Sequence, residues 1–299
     1  MCSPDINSTK YFTISPDLTP VEVKFYTENT FPAHQINLEN LTQRININEI
    51  SLSECIISDS IFSDIFHDQV GGAINIVTSN INLNISYCIF DNLSTYSLYN
   101  NVEGGAIYLC TLTGNVLLDR LCIRKCSALD SSHFIYARIR SINETSFIFN
   151  NSCVINCPKQ PEYIGQTMEV HASSIFNHLN FSNNHPDKYA IFDNSETNEK
   201  NLTHVTVVSN TLIYNNSINM YSLMLCPHTF TISRVNFIQN FNNFENKTDY
   251  FIGFQYIHPS NLYFDRNVNF NETESSEINN ITFEDYCYRE KPKENKNRK

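Results

Sequence analysis

The chain has 299 residues and a formal net charge of −11, and 41% of its residues are hydrophobic. This length allows one elongated domain or two compact ones with a buried core. The acidic balance, without a stripe of Lys and Arg, excludes a protein that binds duplex nucleic acid through its phosphates.

No window of the sequence approaches the roughly 18 to 20 apolar residues that a membrane-spanning helix requires. The N-terminus, Met1 to Asp5, carries neither the charged region nor the apolar region of a signal peptide. We therefore expect no membrane span, and no secretory leader is visible.

Residues 1–43 contain two short β-like runs, 11–14 and 21–26, with prolines before, between and after them. They lack the repeats that begin near residue 44. If those repeats stack as coils, the first coil presents an open strand edge that another segment must cover. We therefore predict that residues 1–43 form an N-terminal cap.

A glycine motif occurs twice, as Gly71-Gly72-Ala73-Ile74 and Gly104-Gly105-Ala106-Ile107, 33 residues apart. These copies hold four of the seven glycines in the chain. Each copy follows a polar, turn-like run and leads into an apolar run, which predicts a turn, a close approach of two backbones and then a strand. Stacked coils would place Ile74 over Ile107.

Cysteine followed by apolar residues repeats with nearly the same period, at Cys55, Cys88, Cys122 and Cys153. In the later half Phe-x-x-Asn takes its place, beginning at Phe147, Phe181, Phe237 and Phe264. The runs between these markers alternate apolar and polar residues and show no sustained helical period, so they predict short strands.

A period of about 25 to 34 residues built from short strands indicates a solenoid or a propeller. A propeller blade needs about 40 residues and usually a Trp or Gly signature, but the chain has no Trp. A leucine-rich lattice does not fit either. We therefore predict an all-β parallel β-helix over residues 44–288, followed by a disordered basic tail over residues 289–299.

The two motifs together, Gly-Gly-Ala-Ile and Phe-x-x-Asn, resemble the repeat of polymorphic outer membrane proteins and of similar surface proteins in trichomonad-type parasites. The resemblance spans roughly residues 50–285. It implies a right-handed parallel β-helix on the cell surface or in the extracellular medium. It also implies adhesion, or interaction with a host or neighbouring surface protein or glycan, without catalysis.

Asn-x-Ser/Thr sequons run along the whole chain, and two interpretations remain open. A secreted or surface glycoprotein would carry N-glycans at these sites, whereas a chain rich in Asn, Ser and Thr forms sequons by composition alone. The sequons begin at Asn7, Asn40, Asn84, Asn92, Asn143, Asn150, Asn180, Asn201, Asn215, Asn246, Asn271 and Asn280.

The sharpest metal candidate is a pair of C-x3-C motifs, Cys122 to Cys126 and Cys153 to Cys157. Stacking would bring Cys122 near Cys153 and Cys126 near Cys157. Four converging thiolates could bind zinc, but the same stacking also suits buried thiols or two disulfides. We expect no metal and no cofactor, and the disulfide state stays open.

An enzyme of the pectin-lyase-like kind, a polysaccharide hydrolase or lyase, is the competing hypothesis. Glycoside hydrolysis needs two carboxylates about 5 to 10 Å apart, and no adjacent Asp-Asp pair occurs. The nearest basic pair that could hold a uronate is Arg138 with Arg140. The isolated acids are Asp59, Asp64, Asp68, Asp91, Asp119 and Asp130.

No nucleophile elbow, phosphate-binding loop or dinucleotide fingerprint occurs, and the histidines lack metal-ligand spacing. Outward Tyr96, Tyr99, Tyr108 and Asn75 could form a contact face, since Tyr supplies a flat amphipathic surface. With what the family resemblance implies, the expected function is non-enzymatic adhesion or interaction. A truncated, non-functional member of a repeat family is a third hypothesis.

Overall fold

The computed structural model describes the chain in twelve ranges. They are 10–13, 24–27, 44–47, 52–97, 102–129, 131–139, 146–158, 165–186, 192–193, 205–218, 223–242 and 252–268. Within them the chain forms strands and turns and no helix. Among the described residues, no helix is long and apolar enough to cross a membrane.

The strands range from two to 15 residues in length, and long ones such as Ile74–Ser86 and Ile107–Asp119 each pair with two strands of a neighbouring coil. They are β1 Lys10–Thr13, β2 Lys24–Thr27, β3 Ile45–Ile47, β4 Leu52–Ser58, β5 Ile61–Ser63, β6 Phe66–His67, β7 Ile74–Ser86, β8 Ile89–Asp91, β9 Ser94–Thr95, β10 Ile107–Asp119, β11 Cys122–Arg124, β12 Ser127–Ala128, β13 Ile135–Ile139, β14 Phe147–Ile155, β15 Met168–His171, β16 Ser174–Ser182, β17 Phe192–Asp193, β18 Val205–Tyr214, β19 Ser217–Ile218, β20 Met224–Ile238, β21 Phe241–Asn242 and β22 Ile252–Asp265.

Strands stack in parallel on their counterparts one coil later. β7 pairs with β3 and β4 on one side and with β10 on the other, and β10 pairs onward with β13 and β14. The one antiparallel pair among the described strands joins β1 to β2, and β1 also lies parallel to β4. The predicted all-β fold, a right-handed parallel β-helix, is confirmed.

The glycine motif lies where two coils approach each other closely. Ile107 pairs with Ile74, as the 33-residue spacing predicted. A Cβ on Gly72 would lie 2.2 Å from the Gly105 carbonyl oxygen, and a Cβ on Gly105 would lie 2.2 Å from the His133 carbonyl oxygen. Both distances are far inside van der Waals contact, so a side chain at either position would force the coils apart.

Each coil turns through a corner unit, which we define as two residues with positive φ that stand five positions apart and flank a short buried run. Eight copies occur in the described part of the chain, with φ between 47° and 56°. They are Asp59 and Asp64, Tyr87 and Asn92, Arg120 and Lys125, Asn151 and Asn156, His178 and Asn183, Asn210 and Asn215, Arg234 and Gln239, and Asn261 and Arg266.

The first and second corner residues turn the strand by adopting the left-handed conformation, which Asn and Asp tolerate best among residues with a side chain. Their backbone N–H groups remain hydrogen-bonded to the next coil. The Asn92 N–H, for example, donates to the Arg124 carbonyl at 3.1 Å, and the Lys125 N–H donates to the Ile155 carbonyl at 3.1 Å.

The run inside each corner unit has four residues, and its third residue points into the core. Aromatic rings stack there from coil to coil, with centroids 4.9 Å apart for Phe62 and Phe90 and 5.0 Å apart for Phe237 and Phe264. Burying such a side chain contributes about 1.5–3 kcal/mol. The members of this row are Phe62, Phe90, Ile123, Val154, Phe181, Ile213, Phe237 and Phe264.

The residue after the second corner also points inward and forms what we call the inner corner column. In the first four copies it is Ile65, Leu93, Cys126 and Cys157, and in the last four it is Asn184, Asn216, Asn240 and Asn267. The four asparagines form an asparagine ladder, in which each side-chain oxygen accepts the backbone N–H of the preceding column residue.

Three of the Phe-x-x-Asn matches, those that begin at Phe181, Phe237 and Phe264, therefore join an aromatic core residue to a ladder asparagine. The match at Phe147 differs, because Asn150 is the last of four β14 residues that pair with β10, and it lies opposite Asp119. Most of the predicted cap and all of the predicted tail lie outside the described residues, so both stay predictions.

Candidate functional site

The outward side of three successive strands carries a cluster that we call the tyrosine–histidine face. It consists of Tyr108 on β10, Tyr136 and Arg138 on β13, and Glu169 and His171 on β15. The register aligns Tyr108 with Tyr136 and Tyr136 with Glu169, and it places Arg138 opposite His171. Parallel stacking thus joins residues that lie 28 to 33 positions apart in the sequence.

The aromatic part of the face is packed as a short stack. The rings of Tyr108 and Tyr136 lie 5.2 Å apart and almost parallel, and the His171 ring lies 5.6 Å from Tyr136 in a tilted arrangement. Such ring pairs add about 0.5–1.5 kcal/mol beyond their area burial. The rings are therefore held in place before any partner arrives.

A network of donors surrounds the Glu169 carboxylate. Its Oε2 accepts hydrogen bonds from the Ser131 and Ser132 hydroxyls, each at 2.9 Å, and from the Gln166 amide. Its Oε1 lies 2.7 Å from His171 Nε2. Burial alone would raise the pKa of Glu169, but His171 and the two serines lower it below its usual value.

The phenols of the face stay protonated over the physiological range. Burial raises the pKa of Tyr108, and the negative charge of Glu103 raises it further, while Arg138 acts in the opposite direction. The pKa of Tyr136 is raised by burial and then by Glu103 and Glu169. Both hydroxyls can therefore donate hydrogen bonds to a ligand.

The state of Glu169 does not suit the proton donor of a glycosidase. A glycosidase needs one carboxyl group that holds a proton at working pH. Glu169 has four donors and a lowered pKa, so it remains ionised and mainly orients His171. The sequence could not identify Glu169, His171 or the two serines, because no short motif contains them and only the register of coils of unequal length brings them together.

A groove runs along the corners of successive coils, and we call it the corner groove. Its volume is about 430 Å³. Five of its lining residues are second corner residues from five successive coils. The lining residues are Asp64, Asp91, Asn92, Lys125, Asn156, Pro158, Asn183 and His185.

Comparison with known proteins gives no match at any level. No family model, curated protein or solved structure matches it. The geometry of its own coils therefore carries the fold assignment, and membership of a particular β-helix family remains a hypothesis.

Both predicted pairs of neighbouring cysteines occur. Cys122 pairs in register with Cys153, and the Cys126 backbone N–H lies 3.3 Å from Cys157 Sγ. Cys126, Cys153 and Cys157 are buried and form no disulfide, whereas Cys122 is disulfide-bonded, as is Cys110 on β10. No group of three or more His, Cys, Asp or Glu side chains in the described part of the chain is arranged to hold a metal ion.

The other two repeat cysteines occupy different positions from this pair. Cys55 lies opposite Leu83 on β7, and Cys88 directly follows a first corner residue, Tyr87. Both are buried and form no disulfide. Burial raises the pKa of the Cys55 thiol to about 12, so this thiol is protected from oxidation and alkylation.

Five of the predicted glycosylation sites fall on described residues, and all five are half-buried. Asn92 and Asn215 are second corner residues, while the remaining three lie on the long strands. The strand sites are Asn84, Asn150 and Asn180. The sequons at Asn7, Asn40, Asn143, Asn201, Asn246, Asn271 and Asn280 lie outside the described residues.

The remaining predicted contact residues are distributed along the rod. Asn75 continues the tyrosine row, because it pairs with Tyr108. Tyr96 is 48% exposed and follows β9 in another part of the coil. Tyr99 lies outside the described residues, as do Asp130 and Arg140, so the structure does not test the predicted pairing of Arg138 with Arg140.

The isolated acids lie mainly at corners or in ion pairs. Asp59 and Asp64 are corner residues. Asp91 pairs with Arg124 at 2.7 Å and Asp119 pairs with Arg120 at 2.9 Å. Asp68 is exposed beside His67, 3.3 Å away.

Proposed function

We propose that this chain is a non-enzymatic β-helix protein, displayed on a cell surface or secreted, that acts in adhesion. In this proposal the tyrosine–histidine face binds a host or neighbouring surface protein or glycan. The observation that carries the proposal is the stacked pair of Tyr108 and Tyr136 beside the hydrogen-bonded Glu169 and His171.

The chemistry of the face supports this role. Tyrosine offers a rigid ring and a hydroxyl donor at a low cost in side-chain entropy, and packing fixes the rings beforehand. Arg138 adds a cation that suits a carboxylate or carbonyl group of a partner. A rigid rod would present this face at a constant orientation, and adhesion requires such display.

Two features support placing the protein outside the cell. Disulfide bonding at Cys110 and Cys122 is typical of oxidising compartments. The sequons offer N-glycan acceptors at half-buried positions such as Asn92 and Asn215. The resemblance to polymorphic outer membrane proteins and trichomonad-type surface proteins adds the same expectation.

A binding experiment tests the face directly. Purified protein would be applied to a printed array of defined oligosaccharides and extracellular matrix proteins. We expect the double variant Tyr108→Ala/Tyr136→Ala to lose at least about tenfold in affinity for the strongest ligand. Tyr214→Ala, which removes an exposed tyrosine elsewhere, is the matched control and should bind normally. Equal binding by the double variant would rule out this face.

A gel-mobility experiment tests the location. Protein taken from its native cell would be treated with an enzyme that removes N-linked glycans. We expect the band to drop by several glycan masses. An unchanged band would remove the support that the sequons lend to surface display.

One observation favours a second candidate, a polysaccharide lyase or hydrolase. Arg138 and His171 lie opposite each other in register, and two acids, Glu103 and Glu169, act electrostatically on the same tyrosine, Tyr136. The test is incubation with polygalacturonate, followed by measurement of unsaturated products and reducing ends. The enzyme hypothesis requires turnover that His171→Ala abolishes, whereas the adhesion proposal expects none.

A further inference from the structure

The corner groove follows the axis of the β-helix. Its five corner residues belong to successive coils, from Asp64 through Asn92, Lys125 and Asn156 to Asn183. Parallel coils stack about 4.8 Å apart, so four intervals extend over roughly 19 Å. The groove therefore presents one polar side chain at each step of a regular linear repeat.

Hydrogen bonds within the protein occupy the ends of the groove but not its centre. Asn92 Nδ2 donates to Asp64 Oδ1 at 2.5 Å, and Asn215 Nδ2 donates to Asn183 Oδ1 at 2.6 Å. The exposed side chains of Lys125 and Asn156 have no hydrogen-bond or ion-pair partner among the residues that the structure describes. Together they offer an ammonium group and an amide, with donors and an acceptor available to a ligand.

The charges along the groove have mixed signs. Asp64 is exposed at one end, Asp91 is paired with Arg124 at 2.7 Å, and Lys125 follows in the next coil. The acids repel a polyanion and Lys125 repels a polycation. The groove therefore suits an uncharged chain with many hydroxyl groups.

We propose that the corner groove binds an uncharged linear oligosaccharide that lies along the β-helix axis, with about one sugar opposite each coil. Lys125 and Asn156 hydrogen-bond its hydroxyls at the centre, and the paired Asp64 and Asn183 contact it at the two ends. This site is separate from the tyrosine–histidine face, and the inference holds whether or not that face binds a partner.

The test must prevent N-glycosylation of Asn92, because a glycan on this residue would itself fill the groove. Protein for the test would be made in a host without N-glycosylation. A second preparation from a glycosylating host would carry Ser94→Ala, which removes the sequon and keeps the contact of Asn92 with Asp64. Both preparations should bind equally.

The test is isothermal titration calorimetry with cello-, chito- and manno-oligosaccharides of two to six units. We expect at least one series to bind, with affinity that rises with length and levels off at four or five units. The double variant Lys125→Gly/Asn156→Gly should lose at least about tenfold in affinity. Glycine suits the positive φ at both positions, so the variant keeps its backbone.

Asn210→Gly is the matched control, because Asn210 is a corner residue of similar φ that lies outside the groove. It should bind like the wild type. Three outcomes would overturn the proposal: no binding by any series, equal binding by the double variant, or stronger binding of polygalacturonate or of an uncharged peptide than of the neutral sugars.

Discussion

The inner corner column differs in chemistry between the first and second halves of the β-helix, although the backbone around it is the same. In the first half the column runs from Ile65 to Cys157 and is apolar or thiol, whereas from Asn184 onward it is asparagine. The flanking corner residues keep the same φ in both halves. Backbone geometry therefore sets the position, and two kinds of side chain can fill it.

The two cysteines of the inner corner column make contacts that resemble those of the ladder asparagines. Cys157 Sγ accepts the Cys126 N–H at 3.3 Å, and Cys126 Sγ lies 3.9 Å from the Phe90 carbonyl oxygen. Ladder asparagines make the equivalent contacts at shorter distances, for example Asn184 Nδ2 to the Val154 carbonyl at 2.9 Å. A buried thiol thus makes the same two contacts as a ladder asparagine, but more weakly.

The largest effect should come from a position that both halves need, the close approach of coils at Gly105. In Gly105→Val the new side chain would meet the His133 and Ser127 carbonyl oxygens, at 2.2 and 2.4 Å from its Cβ. Overpacking costs about 1–3 kcal/mol and occasionally more, and a clash with two backbone carbonyls belongs at the upper end. We expect loss of the folded state by far-ultraviolet circular dichroism. A normal melting curve would contradict the assigned role, and exposed Asn115→Val serves as the control.

The asparagine half should be the more sensitive one to loss of a polar side chain. Asn216→Leu removes the acceptor of the Asn184 N–H and the donor to the Phe181 carbonyl, both at 2.9 Å. Leaving such buried groups unpaired costs about 1–3 kcal/mol each. Urea unfolding should therefore show a loss of about 3 kcal/mol or more, against little change for exposed Asn82→Leu. Equal losses would remove the distinction between ladder and surface asparagines.

The apolar half carries a pH-sensitive residue, His133. Burial lowers its pKa to about 3 from 6.5, and its Nδ1 accepts the Ala128 N–H. The pKa of His133 is lower in the folded than in the unfolded chain. Its contribution to the stability of the fold is therefore complete above pH 6.5 and decreases as the pH falls toward 3. The slope in that window is about 1.4 kcal/mol per pH unit. The variant His133→Asn keeps a hydrogen-bond acceptor, so its free energy of unfolding in urea should change less between pH 6.5 and 4.5 than that of the wild type. If the variant loses stability as steeply as the wild type, His133 is not the cause.

The smallest effect should come from extending the ladder by one step. In Cys157→Asn the new side chain would accept the Cys126 N–H and reach the Ile123 carbonyl, as the later asparagines do in their own coils. We expect a change in stability within about 1 kcal/mol, in the stabilising direction. Chemical denaturation measures it, and a clear loss would mean that the two halves are not interchangeable at this position.

The sequence predicted those parts of the fold that depend on a residue type at a regular spacing. Gly72 and Gly105 mark the close approach, and the registers of Ile74 with Ile107 and of Cys122 with Cys153 follow from their spacing. Of the tyrosine–histidine face, the sequence predicted Tyr108 as an outward contact residue, but not its assembly with Tyr136, Glu169 and His171. Successive corner units stand between 24 and 33 residues apart, so the partner of Glu169 in the neighbouring coil, Tyr136, has no constant offset.

The corner unit also shows how such a rod could change its length. Five positions always separate the two corner residues, and all variation between copies lies in the other connections. A deletion from Asn215 through Ile238 would remove one period and leave Asn210 followed, five positions later, by Gln239. The β-helix can therefore be shortened or extended by whole coils without a change in its corner geometry.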